Sequence, residues 1–579
     1  MTPFTKIGLM LHALRWVRNW NKRDLDYRPA GLSNPKFVTA RQAAEMFDDG
    51  NCVFSSGMAG GHRNSIFFWA LRDRFEHVRR PKNLTWITVG AQGGRGKAPG
   101  TIEELALPGL VQCYIAGHSE TMKANLDLAE KGACEFHLLP QGVITFLLEA
   151  QARGEDSIIS TTGLGTFLDS RVGRGSVISR MAEQNLVRVV EGGLRYRMPR
   201  VDRSMFVAPA ADEEGNIYMR NSCMHTETIE AALAVRANGG RNLVSVAEIV
   251  PKCEADIYLP AECVDAIVVN PRNEQAATIP QRKYWPMFTE GANVDVAEAL
   301  QRVRFINHFL KITPPRGPIE DALARLAAGV FVDLTPSGSC VNIGVGLPEE
   351  VGRLLFESGL YKDVTFTTET GVLGGVPTPG IFFGQAINPV RFLSSAKMFH
   401  HYEANLQTAV LGLLEADSHG NVNVSRRGPR ADQVVGTGGF PDIVATARHV
   451  VFVGTWMAHA KMAIDDGRLR ILKPGEYKFC EAVSEITFNG PRALARGQTV
   501  HYVTNVGVFQ LTSQGMMLRQ VMPGIDVERD ILAACPMRIA LPEGGHVPVV
   551  ASEIVTGRDF SLAWKAPAAP DPFSSDSMD

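Results

Sequence analysis

The sequence predicts an α/β protein of two similar halves, each a mostly parallel sheet covered by helices. Three observations lead there. At 579 residues the chain exceeds one ordinary domain, so more than one core is expected. Strand-like runs alternate with helical stretches throughout, as where residues 227–237 precede 243–250, which is the pattern of parallel sheets under helices. The same signals then recur in the same order in both halves, which points to a duplicated unit rather than a short solenoid repeat.

In the first half, Gly50-Asn51-Cys52-Val53 reads as a turn into a strand, followed by Gly57, Gly60, Gly61 and a helical stretch at 66–71. In the second, Gly338-Ser339-Cys340-Val341 leads to Gly344-Val345-Gly346 and then Leu347-Pro348-Glu349-Glu350, a helix start marked by proline beside acids. A β-rich run ends at glycine in residues 84–89 and at Glu369 in residues 364–368. Each half also has an Asp-x-x-Gly-Asn turn, at Asp212 to Asn216 and at Asp417 to Asn421. Pro280, Pro286, Pro314, Pro315 and Pro318 place the join near residues 280–320.

Composition narrows the function. Hydrophobic residues make up 45% and charged residues 21%, as in a globular enzyme. Lys plus Arg (59) nearly balance Asp plus Glu (61), which argues against a nucleic-acid partner. Nine scattered cysteines include no Cys-x-x-Cys pair, so neither a disulfide framework nor a compact zinc site is expected, and a reducing cytoplasm fits. The first twenty residues are apolar, but Lys6, His12, Arg15 and Arg18 interrupt them; a surface helix, subunit contact or peripheral attachment is expected rather than a membrane span.

Several chemistry-bearing patterns fail inspection. Gly94-x-Gly96 with Gly100 misses the dinucleotide fingerprint, and Gly96-Lys97 lacks both the Ser/Thr and the first Gly of a P-loop. Ser394-Ser395-Ala396-Lys397 matches Ser-x-x-Lys without a companion Lys-Thr-Gly. The informative stretch is Thr367-Thr368-Glu369-Thr370-Gly371-Val372-Leu373-Gly374-Gly375. A carboxylate at a strand end, followed by glycines, can be approached closely and can act as a covalent nucleophile. The ordinary alternative is a Glu that caps a helix or pairs with an Arg. Two further glycine loops shift the balance: Gly436-Thr437-Gly438-Gly439-Phe440 offers N–H groups for an oxyanion, and Gly344-Val345-Gly346-Leu347-Pro348 opens a helix.

Taken with Gly117-His118 and residues 139–144, 163–167, 211–216, 342–348, 417–425, 436–440, 523–526 and 530–532, these motifs make the chain resemble a family I CoA-transferase. The single-chain propionate/acetate enzymes, with fused α and β halves, are the nearest type. The likeness runs from about residue 40 to about 545. It implies an N-terminal extension (1–40), an α-like half (41–300), a β-like half carrying the nucleophile (301–560) and a flexible tail (561–579). It also implies ping-pong exchange through acyl-glutamyl anhydride and glutamyl-CoA thioester intermediates on Glu369. Oxyanion donors are then expected from Gly438, Gly439 and the amide of Gln92, and CoA contacts from Gly344, Gly346, Asn421, Gly436 and Lys461. No metal or permanently bound cofactor is implied; a coenzyme A thioester is the cosubstrate, small carboxylic acids are the partners, and the enzyme is expected to be a cytoplasmic homo-oligomer of short-chain fatty acid or ketone-body metabolism. The same residues would serve an acyl-CoA hydrolase, and a non-catalytic CoA-binding protein is the alternative from another class. The chain departs from the propionate type at Thr370, at residues 403–407 and 504–506, and in the first glycine loop, where His62 and Arg63 are candidate acyl-pocket contacts.

Overall fold

The computed structural model describes residues 1–19, 21–58, 61–90, 92–93, 98–182, 184–272 and 285–567. Residues 94–97, which carry the near-matches to nucleotide loops, lie outside the described residues, although Gly100 falls within them.

Two large sheets form the halves. In the first, parallel strands run in the spatial order Ala266–Val269, Arg241–Ile249, Arg203–Ala211, Cys52–Ser55, Leu84–Thr88, Val111–Ala116, Glu135–Leu138. In the second they run Thr499–Thr504, His449–Val453, Leu406–Gly412, Cys340–Ile343, Thr365–Thr367. Antiparallel strands finish this sheet at both edges: Val372–Leu373 and Arg391–Phe392 on one, Gly507–Thr512 and Gly515–Val521 on the other. Five parallel strands therefore share one order in both halves, as the repeated sequence signals predict. Helices cover them, and central strands are buried on both faces: all nine residues of Arg203–Ala211 are buried.

The register makes the duplication specific. Cys52 faces Thr85 and Phe54 faces Ile87, while Cys340 faces Thr365 and Asn342 faces Thr367. Counting two residues on, Val89 is the counterpart of Glu369. The two Asp-x-x-Gly-Asn turns also match. Asp212 accepts N–H bonds from Gly215 and Asn216 at 2.9 and 3.0 Å, and Asp417 accepts them from His419 and Asn421 at 3.0 and 3.1 Å.

Packing crosses each of the three expected boundaries. Position 300 falls inside the helix Val296–Phe309, whose Val303 and Ile306 pack with Phe382 and Ile387 of the second half. The extension is tied to the first sheet through Phe37, which is buried and bridges to Ile267. Residues 561–567 are docked rather than loose: the Trp564 indole donates to Asp363 at 2.9 Å and the Lys565 N–H to Val332 at 3.2 Å.

The cysteines form no disulfide. Cys113, Glu135 and His137 offer ligand atoms within 4.8 Å of one another on adjoining strands. His137 Nδ1 is already held by Ser176 Oγ at 3.1 Å, and burial pushes the Cys113 thiol up to about 12, away from the thiolate a metal needs. Among the described residues, no helix is long and apolar enough to cross a membrane.

Candidate active site

Strand Thr365–Thr367 ends in a turn that the sequence dictates residue by residue. The Gly371 N–H donates to the Thr368 carbonyl at 3.0 Å, closing residues 368–371. Thr368 and Thr370 hydroxyls lie 2.7 Å apart, and Thr370 donates to the Gly384 carbonyl at 2.5 Å. Gly371 has φ +98°, and a Cβ there would sit 1.9 Å from the Leu393 carbonyl oxygen, so no other residue fits. The Glu369 side chain is left at the mouth of the turn, lining a cavity of about 250 Å³.

That cavity lies between the halves. Met58, Val89, Gly90, His118 and Gln141 come from the first; Glu369, Gly344, Thr437, Gly438 and Gly439 are among those from the second. The two corresponding strand ends, at Val89 and Glu369, thus open onto one space, as ligand sites do at the carboxyl ends of parallel strands. Burial raises the Glu369 carboxyl above the ordinary glutamate value, while a hydrogen bond with the Asn342 side chain draws it down. Gly439 packs so tightly on the glutamate that an added Cβ would stand 3.0 Å from Glu369 Cγ.

The backbone behind Glu369 is held by Ser395 of its own half, which is backed in turn by Glu227 of the first. Ser395, at the start of the helix Ser395–Asn405, places its Oγ 2.8 Å from the Glu369 carbonyl and 2.9 Å from Glu227 Oε1. One hydroxyl has one hydrogen, so a protonated Glu227 donating to Ser395 satisfies both contacts. Its environment agrees: burial pushes Glu227 up to about 8 and the neighbouring Glu230 to about 7. Ser394 caps this helix and Lys397 is exposed, so the Ser-x-x-Lys match is a helix start.

The loop at 436–439 grips the opposite half. Thr437 and Gly438 N–H groups donate to the Gly117 carbonyl at 3.0 and 2.9 Å, and the Gln141 N–H donates to the Gly438 carbonyl at 2.9 Å. The next amide, of Gly142, donates to the buried Asp442 carboxyl at 2.9 Å. The Gly438 N–H is therefore engaged, and Gly439 is the residue of this loop in contact with the glutamate side chain.

Of the nucleophile, oxyanion, CoA and acyl-pocket candidates named from the sequence, Glu369, Gly344, Gly438 and Gly439 meet in the cavity. The others lie outside its lining. Gln92 is buried, with its amide donating to the carbonyls of Ser55 and Gly57 at 2.9 and 3.1 Å; both hydrogens are used, and it has none for an oxyanion. Asn421 is held in its own turn by Asp417 and by the Gly490 N–H. Gly436 is pinned against His118, Gly346 lies beyond the lining residue Val345, and Lys461 is exposed on the hairpin of Lys461–Asp465 and Arg468–Lys473. His62 and Arg63 are buried; His62 Nε2 lies 2.8 Å from Ser222 Oγ, and burial lowers its pKa to about 3, which leaves it neutral and unsuited to holding a carboxylate.

The chain as a whole is similar to known proteins. Residues 37–270 match the family described as coenzyme A transferase. Over 515 residues the chain is 33% identical to a caffeate CoA-transferase of Acetobacterium woodii, covering 86% of this chain and 93% of that one. The chain belongs to the coenzyme A transferase family. It is also 31% identical over 509 residues to the acetate CoA-transferase YdiF of Escherichia coli O157:H7, with 86% and 91% of the two chains covered. The crystal structure of that acyl-CoA transferase as a thioester complex with CoA superposes with a TM-score of 0.80 at 27% identity, over 94% of this chain and 100% of the other.

For this transferase, two site residues escaped the sequence reading. Gln141 was visible within the motif at 139–144, but nothing local distinguishes its amide from that of Gln92; only the fold turns one into the cavity and the other into the core. Glu227 sits 142 positions before Glu369 (369 − 227), and no spacing rule joins them.

Proposed function

We propose that this CoA-transferase exchanges coenzyme A between carboxylic acids by ping-pong chemistry on Glu369. The observation that carries the reading is a half-shielded carboxylate at a strand end, in a cavity built from both halves, with Gly439 against its side chain and Gln141 beside its backbone.

A Glu369 oxygen attacks the thioester carbonyl carbon of an acyl-CoA, the C–S bond breaks, and an acyl-glutamyl anhydride and CoA thiolate result. The thiolate attacks the glutamyl carbonyl, the anhydride C–O bond breaks, and the first carboxylate leaves a glutamyl-CoA thioester. A second carboxylate reverses both steps. The transfer has no net proton demand, so the site needs no general acid; it needs donors for the oxyanion formed at each attack, each worth about 3 kcal/mol. The Gly439 N–H and the Gln141 amide are assigned that work. The Gln141 Nε2 to Glu369 carbonyl contact is long, at 3.5 Å, which leaves the amide available to turn toward an oxyanion. Apolar walls from Met58, Val89 and Leu300 shield the anhydride from water.

The test is the intact mass of protein incubated with acetyl-CoA and no acceptor, followed by a peptide map. A CoA-sized adduct on the peptide containing Glu369, absent in Glu369→Gln, is the expected result. Absence of any adduct across acetyl, longer, aromatic and dicarboxylic acyl-CoAs that demonstrably bind would remove the covalent mechanism.

A further inference from the structure

The helix Pro3–Asn19 precedes the segment that matches the family description and is apolar on two opposite faces. The inner face is occupied. Ala13 and Trp16 are buried with Val303 and Trp285, His12 meets Trp285 edge-on at 6.4 Å between ring centres, and the Met1 amino group donates to Gln301 at 2.8 Å. The helix is thereby seated on Val296–Phe309. Its outer face carries Phe4, Ile7, Leu11 and Leu14, which are 86, 48, 62 and 56% exposed. Their spacing of three, four and three residues forms one stripe along the helix, where a surface helix normally carries polar side chains.

Charge identifies what the stripe meets. Lys6, Arg15, Arg18 and Lys22 are all exposed, and the first acidic residue of the chain is Asp24. Arg15 and Arg18 follow Leu11 and Leu14 at i+4, so they extend the same face by a turn, where long basic side chains can bury their stems and present their charges outward. A second copy of this face brings no carboxylate to those cations. An anionic phospholipid surface supplies apolar burial and phosphates together. At seventeen residues with basic interruptions, the helix suits the plane of the interface and not a crossing.

We propose that helix Pro3–Asn19 is a peripheral anchor that lays this transferase on anionic phospholipid bilayers. Because its inner face rests on the helix that contributes Leu300 and Arg304 to the cavity, the bound bilayer would lie one helix away from the site.

Flotation of the full-length protein with vesicles tests this, comparing phosphatidylcholine alone with phosphatidylcholine containing a quarter phosphatidylglycerol. Binding is expected only to the mixed vesicles and should weaken as salt rises. The double variant Arg15→Glu/Arg18→Glu should bind at least about 25-fold more weakly, from roughly fivefold per removed cation. Leu11→Asp should lose vesicle binding while its turnover without vesicles matches the parent. Two outcomes would overturn the proposal. One is parent protein that stays unbound to the mixed vesicles at low salt. The other is Leu11→Asp that still floats while light scattering shows its subunits separated, which assigns the stripe to a contact between copies.

Discussion

Gly439 has an ordinary φ of −84°, so its missing side chain answers to space and not to conformation. A methyl group there would stand 3.0 Å from Glu369 Cγ and 3.1 Å from Phe399 Cζ. Gly439→Ala should therefore displace the carboxylate, with a fall in kcat of about 100-fold or more for a displacement near 1 Å. Stability should drop by only about 1–3 kcal/mol, as for other overpacked sites. Steady-state kinetics beside a denaturant titration distinguishes this from unfolding; equal losses in both would sink the reading. Gln141→Leu keeps the bulk and removes the donor, so kcat should fall about 100- to 1000-fold with CoA affinity largely retained. An unchanged kcat would leave the oxyanion to other groups. At this scale Glu369 was legible because its signals are local: a β-run, a carboxylate, a glycine needed by the turn. The choice between Gln92 and Gln141 was not, because the carbonyls that consume the Gln92 amide lie 37 and 35 residues upstream.

Helices place the groups proposed as oxyanion donors. Helix Gln141–Ala152 of the first half meets Phe440–Thr446 of the second through the Asp442 carboxyl, which accepts the Gly142 N–H at 2.9 Å. Asp442→Ala leaves that buried N–H unpaired, at a cost of about 1–3 kcal/mol, and loosens the turn that presents Gln141. Asp442→Asn retains an acceptor oxygen and should keep most of both stability and kcat. If Ala and Asn behave alike in thermal melts and in kcat, the hydrogen bond is not what positions the helix. Strands and helices themselves were readable from alternation and turn residues. Their partners across the halves were not: Val296–Phe309 packs on residues around 382–387, and Trp564 on Asp363, contacts without a local signature.

Across the whole molecule, pH acts on catalysis and on stability through different carboxyls. The nucleophile proposed here must be ionised, and burial has raised the Glu369 pKa, so on that proposal kcat should fall on the acid side at a pH above the ordinary glutamate value of 4.5. Three other carboxyls also link stability to pH. Glu227 and Asp442 are held near 8 and Glu230 near 7, each raised chiefly by burial, against ordinary values of 4.5, 3.8 and 4.5. Between those limits the folded state binds more protons than the unfolded chain, so the free energy of unfolding decreases as pH rises. Their contribution is fully present below about pH 4 and is lost progressively as pH climbs to about 8. Calorimetry at fixed ionic strength should show the unfolding midpoint falling less steeply between about pH 6.5 and 8 in the double variant Glu227→Gln/Asp442→Asn than in the parent; below about pH 6.5 His62, His225 and His501, each lowered by burial, act in the opposite sense. Parent and double variant with parallel slopes would mean that neither carboxyl is held protonated.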